Sequence, residues 1–251
     1  MAKKKINMKK ERFIENINPL FLDGIAHRGL HNESFTENGL KAFKNALDHK
    51  VAIELDIHLT KDGDLVVCHD ENLKRTTDKE GIIEDMTVAE IKDCYRLKDG
   101  GEVPTLSEVF DLIKEEVPIV VELKCFRKNH KALAAKAREF LLSRVKDKKN
   151  IMVISFDPRG LWAFGKCGFM RSLLIHKGDD YTWWFRGCAE SIDIEDILLK
   201  EKKYIRYSKK HFVNVWTIQK EEQVKFVSPY VDTMTFQFLE PDFVKTNIKR
   251  Q

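Results

Sequence analysis

The sequence predicts an α/β protein whose fold is a (β/α)8 barrel. Short apolar runs recur along the chain, and several are nearly continuous, such as Ile-Met-Val-Ile-Ser at 151–155. Such runs are typical of parallel strands that are buried on both faces. Amphipathic segments lie between many of them, and this alternation favours strands joined by helical crossovers. Eight candidate strands favour the barrel, with a doubly wound sheet as the alternative.

Strands are predicted wherever an apolar run is short and bounded by turn-forming or polar residues. In chain order these runs are Gly24–His27, Val51–Ile57, Pro118–Leu123, Asn150–Ser155, Arg171–His176, Cys188–Asp193, His211–Thr217 and Val231–Phe236. Helical periodicity is clearest in three of the segments between them: Gly39–His49, Leu106–Glu116 and His130–Val145.

One segment interrupts the alternation of strands and helices. Thr60–Asp64 has the composition of a tight turn, and Leu65–His69 follows it as a short strand. So short a connection makes the two strands antiparallel, because a parallel return needs a crossover of a dozen or more residues. We therefore expect an excursion from about residue 58 to about residue 103. No repeat or linker divides the rest, which predicts one domain over residues 1–251, although this length also suits two small domains.

Bulk composition excludes several classes of protein. Hydrophobic residues make up 43% of the 251 residues and charged residues 33%, which suits a soluble globular protein and neither a disordered nor a membrane-embedded one. The net charge of +4 does not favour a nucleic-acid binder.

The N-terminal segment Met1–Arg12 is rich in lysine but has no apolar run behind it. It therefore does not resemble a secretory signal. A solvated tail is the simpler interpretation, and contact with an anionic membrane surface stays open.

The five cysteines include no CxxC pair. They are interpreted as reduced thiols, which predicts a cytoplasmic protein.

Carboxylates occur inside two of the predicted strands. Glu54 and Asp56 alternate with apolar residues and so share one face of their strand. Glu122 and Lys124 share a face near the carboxyl end of the next barrel strand, the end that carries the active site in such barrels. Buried carboxylates are costly unless they are paired or bound to a cation. They form either structural ion pairs or a set of oxygen ligands suited to Mg²⁺ or Ca²⁺.

Two histidines follow strands near this cluster. His27 ends the first strand in Ile25-Ala-His-Arg-Gly29, and His69 ends the short strand after the turn. A single histidine at a strand end is usually a surface residue, but a pair beside carboxylates is suited to acid–base catalysis near neutral pH. Arg28 adds a planar donor group for phosphate oxygens. Together these residues favour phosphoester chemistry.

Other conspicuous residues allow two interpretations. Trp183-Trp-Phe185 forms either a rim for a lipid-derived alcohol or ordinary packing, and Trp216 either lines a substrate pocket or packs in the core. His176 is expected to be structural. Cys68 and Cys125 adjoin the site motifs without a nucleophile–base signature.

The sequence resembles the glycerophosphodiester phosphodiesterases. The resemblance rests on an ordered set of motifs between Ile25 and Lys124: His27-Arg-Gly29, Thr36-Glu-Asn38, Glu54-Leu-Asp56, Leu59-Thr-Lys-Asp-Gly63, Val67-Cys-His-Asp70 and Glu122-Leu-Lys124. Val215-Trp-Thr217 adds a weaker match. The resemblance implies a TIM barrel with a small insertion after the second strand, in agreement with the excursion.

The resemblance also implies a site and an activity. Glu54, Asp56 and Glu122 would hold one divalent cation, Mg²⁺ or Ca²⁺. His27 and His69 would be the acid and the base. Arg28 and Lys124 would contact the phosphate, with Glu37 also near the substrate site. Trp216 is the candidate for the wall of the substrate pocket because of its position late on a barrel strand, not because of the resemblance. The implied reaction of lipid and glycerol metabolism cleaves a glycerophosphodiester to sn-glycerol 3-phosphate and an alcohol.

Two departures and two alternatives accompany this hypothesis. The chain has Thr36-Glu-Asn-Gly39 where the family has Pro-Glu-Asn-Thr, and Val231–Gln237 differs from the family's Gly-x-Asp-Gly-Ile-x-Thr-Asp ending. The substrate could instead be a lysophospholipid or a glycerophosphate polymer. An inactive phosphate- or metal-binding barrel is the alternative from another class, and retention of both histidines and all three carboxylates argues against it.

Overall fold

A computed structural model describes residues 8–248, and its centre is a closed barrel of eight parallel strands. The barrel strands are β1 (Ile25–Ala26), β2 (Ala52–Leu59), β4 (Ile119–Leu123), β5 (Ile151–Ser155), β6 (Met170–Ile175), β7 (Ser191–Glu195), β8 (Val213–Ile218) and β9 (Thr233–Phe236). The short strand β3 (Leu65–Val67) lies outside this ring. The predicted barrel is confirmed.

Closure comes from β1, which pairs with both β2 and β9. Ile25 lies opposite Ala52 on one side and Thr235 on the other. The last strand therefore lies next to the first, and the residues that follow β9 come close to those that follow β1.

Helices surround the barrel. They are α1 (Met8–Glu15), α2 (Leu40–Asp48), α3 (Lys74–Thr77), α4 (Val88–Cys94), α5 (Leu106–Ile113), α6 (His130–Arg144), α7 (Pro158–Phe164), α8 (Lys202–Ser208), α9 (Glu221–Val227) and α10 (Pro241–Asn247). 3₁₀ helices occupy Pro19–Asp23, Ile83–Asp85, Lys148–Asn150, Asp180–Cys188 and Asp196–Lys200. No helix within residues 8–248 is long and apolar enough to cross a membrane.

The predicted excursion follows β2. β3 runs antiparallel to β2, with Ile57 opposite Val67 and Leu59 opposite Leu65, as the tight turn predicts. The segment then forms α3 and α4. Thr105 is the N-cap of α5, and its side chain and Glu108 make a reciprocal capping box. Buried apolar residues of the excursion form a small core of their own: Val66, Cys68, Leu73, Ile83, Ile91, Tyr95, Leu97 and Val103.

Strand β2 shows how the alternation of side chains separates the core from the site. Ile53, Leu55 and Ile57 point outwards into the main apolar core beneath the helices. Ala52 belongs instead to a second apolar cluster inside the barrel, which extends from Phe13 of α1 to Ile154 and Leu174 beside the site. Glu54 and Asp56 lie on the same face as Ala52 and are buried inside the barrel.

In the part that the structure describes, the N-terminal segment is a helix and not the expected solvated tail. Residues 1–7 lie outside that part, but α1 begins at Met8 and its Phe13 stacks on Phe212, with ring centroids 4.4 Å apart. Lys10 is buried, lies 2.6 Å from Asp232 and donates to the carbonyl oxygen of Ser208. The prediction of a solvated tail is therefore wrong from Met8 onwards, because α1 covers one end of the barrel. The crossover from β6 to β7 also differs from the prediction, since its 3₁₀ helix extends to Cys188 and β7 begins only at Ser191.

Candidate active site

The three carboxylates from β2 and β4 form one cluster. Oxygens of Glu54, Asp56 and Glu122 all lie within 4.8 Å of one another, and all three residues are buried. Asp56 and Glu122 are register partners on adjacent parallel strands, which places their side chains side by side. This is the arrangement that the sequence predicts from the two strands.

Burial and the neighbouring charges shift the pKa values of these three groups. Burial, together with the charges of Asp56 and Glu122, raises the pKa of Glu54 well above its usual value. Burial also raises the pKa of Glu122 to about 7. Burial acts in the same direction on Asp56, but Lys124 and Arg28 outweigh it, so its pKa lies below the usual range. Buried carboxylates held this close together are suited to share a cation.

The fit of a divalent cation can be tested on unpaired polar atoms. Oδ1 of Asp56 has no hydrogen-bond partner among the described residues, although the ammonium nitrogen of Lys124 lies 3.4 Å away. Glu54 accepts one hydrogen bond, from the backbone N–H of Arg28 at 2.9 Å. Hard oxygen ligands with unused lone pairs suit Mg²⁺ or Ca²⁺, so this cluster fits such an ion.

Two cationic side chains border the cluster. Nζ of Lys124 lies 2.9 Å from Glu122 Oε1, and Nε of Arg28 lies 3.5 Å from Asp56 Oδ2. Arg28 adopts a positive φ of 55°, and this conformation lets its backbone N–H reach Glu54 while its guanidinium reaches over Asp56. Both cations therefore lie beside the carboxylates, where an anionic substrate group would meet them.

The two predicted histidines lie at the cluster with different partners. The Nδ1–H of His27 donates to Oε1 of Gln237 at 2.7 Å, and its Nε2 lies 4.0 Å from Glu54. The Nδ1–H of His69 donates to the carboxylate of Asp70, also at 2.7 Å. Burial, followed by the charge of Arg28, lowers the pKa of His27 to about 4. Burial is also the largest cause that lowers the pKa of His69.

Glu37 is close to the site but is engaged by two arginines. Its carboxylate accepts from Nη1 of Arg28 at 2.7 Å and from both terminal nitrogens of Arg75 at 2.7 and 2.8 Å. Burial acts to raise the pKa of Glu37, but the hydrogen bonds from Arg75 and the charge of Arg28 bring it down to about 2. Glu37 therefore orients Arg28 and connects it to Arg75 of the excursion.

Two adjoining cavities open at the cluster. The larger, of about 700 Å³, is lined by His69, Arg75, Glu122, Lys124 and Phe156 among others. The smaller cavity, of about 100 Å³, is lined by residues from early and late barrel strands. They include His27, Arg28, Glu54, Asp193, Trp216 and Thr235. Trp216 lines this cavity and also packs against the apolar cluster inside the barrel, so both of its interpretations stay open. Its Nε1 has no hydrogen-bond partner among the described residues.

Sequence reasoning did not assign a role to several residues of this site. Gln237 and Asp70 orient the histidines, and the amide of buried Asn38 donates to Asp56 at 2.8 Å. Asp193 on β7 accepts from Ser172 at 2.5 Å and from Asn214 at 3.0 Å inside the barrel. The alternation Ser-Ile-Asp-Ile-Glu at 191–195 repeats the pattern of β2 and was the available signal for Asp193.

The other conspicuous residues have structural partners. His176 lies 2.7 Å from Asp179 and packs against the ring of Phe156, in keeping with the expected structural role. Trp183 packs against Tyr204 with ring centroids 5.0 Å apart, whereas Trp184 beside it is exposed. Cys68 is buried and Cys125 adjoins Ser155, and burial raises the pKa of both thiols to about 12.

Known proteins of one family resemble this chain in sequence. The profile of the glycerophosphoryl diester phosphodiesterase family matches residues 27–236. A glycerophosphodiester phosphodiesterase of Caldanaerobacter subterraneus is 46% identical over 108 residues, which span 40% of this chain and 44% of that protein. Another, of Bacillus altitudinis, is 30% identical over 217 residues, which span 80% of this chain and 87% of that protein.

A solved structure shows the same fold. The phosphodiesterase of Oleispira antarctica, in complex with its product sn-glycerol-3-phosphate, superposes with a TM-score of 0.75 at 22% identity and covers 89% of this chain and 94% of its own. The family profile spans most of the chain, including every carboxylate and histidine of the cluster. The chain therefore belongs to the glycerophosphoryl diester phosphodiesterase family of phosphodiester-cleaving enzymes.

Proposed function

We propose that this protein hydrolyses glycerophosphodiesters to sn-glycerol 3-phosphate and an alcohol, with one divalent cation and with His27 and His69 as acid and base. The observation that carries the proposal is the carboxylate cluster with both histidines beside it: Nε2 of His27 lies 4.0 Å from Glu54, and His69 lines both cavities at the cluster. The product bound by the relative from Oleispira antarctica supports the same substrate class.

The cation would be held by Glu54, Asp56 and Glu122, and either Mg²⁺ or Ca²⁺ suits this set of oxygens. A bound divalent cation supplies charge neutralisation at a phosphate oxygen and lowers the pKa of a coordinated hydroxyl group. Arg28 and Lys124 would bind the remaining phosphate oxygens from the two sides of the cluster, because each already lies within 3.5 Å of a cluster carboxylate. Trp216 would form the wall of the substrate pocket.

The partners of the histidines support a division of roles. Gln237 is neutral and accepts the Nδ1–H of His27, which leaves Nε2 of His27 free to take a proton from an attacking hydroxyl group. Asp70 is a carboxylate and stabilises the positive charge of a protonated His69. We infer that His27 is the base and His69 the acid that gives a proton to the departing alcohol. If the glycerol hydroxyl attacks first, a cyclic phosphate forms, and water opens it with the two roles exchanged.

We also infer that the chain is a single phosphodiesterase domain, with the excursion from about residue 58 to about residue 103 as an insertion within it. The separate small core of the excursion supports this description, and so does its contribution of His69, Asp70 and Arg75 to the site. Its loss would therefore remove one of the two proton-transfer groups.

The direct test is release of sn-glycerol 3-phosphate from glycerophosphocholine, measured before chelation, after EDTA and after return of Mg²⁺ or Ca²⁺. We expect EDTA to abolish turnover and one of the two ions to restore it. The variants His27→Ala and His69→Ala should abolish turnover while the ion still binds by calorimetry. Turnover that is insensitive to EDTA would remove the cation from the reaction, and no turnover across a panel of diesters would favour a binding protein.

A further inference from the structure

One flank of the barrel carries large aromatic side chains that the active site does not use. Trp162 of α7 is 54% exposed, and in the 3₁₀ helix Asp180–Cys188 Tyr181 is 63%, Trp184 79% and Phe185 39% exposed. We name these four residues the aromatic patch. Monomeric proteins rarely expose such groups together without a function.

The members of the aromatic patch lie on neighbouring elements. The rings of Trp162 and Phe185 meet edge to face with centroids 5.9 Å apart. Tyr181 and Trp184 are three residues apart in a 3₁₀ helix, where residues i and i+3 lie on the same side. Trp183 between them packs inwards on Tyr204 and Tyr207 and so anchors this helix to the barrel.

A basic groove of about 870 Å³ adjoins the aromatic patch. Its cationic lining residues are Lys9, Arg12, Lys166 and Arg186. Arg186 connects the two features, because it follows Phe185 directly, lies 4.3 Å over the ring of Trp183 and donates to the Trp183 carbonyl oxygen. Among the described residues that line the groove, Glu190 is the one acid, and Arg171 holds it at 2.8 Å.

The aromatic patch also reaches towards the mouth of the active site. Arg159 at the start of α7 binds the carboxylate of Asp157 through Nε and Nη2, and Asp157 lines the larger cavity. The pKa of Arg159 is raised mainly by its hydrogen bonds with Asp157, and also by the nearby phenol of Tyr181. The patch therefore extends from the rim of the cavity to the basic groove.

We propose that the aromatic patch and the basic groove form a docking face for an anionic lipid bilayer. Trp and Tyr side chains favour the membrane interface because each has an apolar body and a polar tip. The cations of the groove complement anionic headgroups. A second copy of this chain fits the face less well, because a two-fold contact would bring basic residues against basic residues. The docking face stands whether or not the site cleaves glycerophosphodiesters.

The test uses the full chain with two kinds of vesicle, one of phosphatidylcholine and one of phosphatidylcholine and phosphatidylglycerol in equal parts. We expect co-sedimentation with the anionic vesicles and release at high salt. The variant Tyr181→Ala/Trp184→Ala should lower the affinity at least about fivefold, and Lys166→Glu/Arg186→Glu should lower it on anionic vesicles. Phe226→Ala, which removes an exposed aromatic group of α9 outside the patch, is the matched control and should bind as the wild type does.

Two control measurements separate a loss of membrane binding from a loss of folding or of catalytic activity. Circular dichroism must show that each variant is folded, and turnover of soluble glycerophosphocholine must be unchanged in the patch variants. Brominated lipids should quench the tryptophan fluorescence of the wild type more than that of Trp184→Phe. Equal vesicle binding by the wild type and the patch variants, or no binding of the wild type to either vesicle, would overturn the proposal. A dimer in light scattering that Trp184→Ala dissociates would assign the face to a second copy instead.

Discussion

Gln237 lies directly after the last barrel strand, and its side-chain oxygen accepts the Nδ1–H of His27 at 2.7 Å. The same oxygen lies 3.3 Å from Nε2 of His31. Both histidines thus present an N–H to one neutral acceptor, which holds His27 in the tautomer whose Nε2 faces Glu54. The divergent end of the chain therefore contributes directly to the candidate site.

The first prediction concerns this contact. Gln237→Met removes the acceptor at nearly constant volume, so His27 would lose its fixed tautomer and orientation. We expect kcat to fall at least about tenfold with little change in KM. Gln237→Glu keeps an acceptor and should retain more activity, with a pH profile shifted to higher pH because a carboxylate stabilises protonated His27.

Ring-nitrogen chemical shifts of His27 give a readout that a loss of stability would not produce. The wild type should show a protonated Nδ1, and Gln237→Met a mixture of tautomers. Unchanged kcat together with unchanged nitrogen shifts would show that Gln237 does not position His27.

The contact of Gln237 also shows which parts of the site the sequence could predict. Glu54 and Asp56 were predictable as neighbours because side chains alternate along a strand, and Glu122 because the next barrel strand pairs with β2. The contact between Gln237 and His27 spans 210 residues and depends on the closure of β9 against β1. No local pattern encodes the register at closure, so a glutamine after an apolar strand carries no sign of its partner.

The fold was predictable for a related reason. Strands buried on both faces need continuous apolar runs, and the described strands lie within or close to the predicted runs. The excursion was predictable from its turn, but its tertiary contact was not. Arg75 reaches Glu37 across 38 residues, and a surface arginine in a charged helix has many possible partners.

A second prediction concerns the other histidine. Asp70 accepts the Nδ1–H of His69 and is itself held by Nε of Arg75 at 2.6 Å. Asp70→Asn keeps the shape but removes the charge that stabilises protonated His69. We expect kcat to fall at least about tenfold on a substrate with a poor leaving alcohol.

The control for Asp70→Asn is a substrate with a nitrophenol leaving group, which departs without a proton. The loss of rate should be much smaller on that substrate. An equal loss on both substrates would remove His69 from the role of acid.

The third prediction is that the carboxylate cluster destabilises the cation-free protein. Burial and neighbouring charges raise the pKa of Glu54, so its ionised form is disfavoured in the folded state. Glu54→Gln keeps an acceptor for the N–H of Arg28 and removes one buried charge. In EDTA at pH 8 we expect it to increase the free energy of unfolding by about 1–3 kcal/mol, while turnover is lost.

The direction of this change in the free energy of unfolding follows from proton linkage. A carboxyl group whose folded pKa is raised binds more protons in the folded state, so the wild type loses stability as pH rises above the usual value of 4.5. The advantage of Glu54→Gln should therefore vanish near pH 4. Urea unfolding at both pH values measures it, with Glu116→Gln, an exposed carboxylate outside the site, as the control. A variant less stable than the wild type at pH 8 would contradict the prediction.

The last prediction uses the opposite shift at Glu37, whose folded pKa is lowered from 4.5 to about 2. A carboxyl group with a lowered folded pKa contributes stability that is present above pH 4.5 and is lost as pH falls from 4.5 towards 2. Glu37→Gln should lower the free energy of unfolding at pH 7 by roughly 2 kcal/mol, allowing for the solvent around Arg75. The difference in the free energy of unfolding between the wild type and Glu37→Gln should shrink steadily between pH 4.5 and pH 2.5. The exposed control Glu33→Gln should show no such difference.

Because Glu37 joins Arg28 of the barrel to Arg75 of the excursion, Arg75→Ala should remove most of the effect of Glu37→Gln in a double-mutant cycle. A pH-independent difference would instead assign the loss to packing.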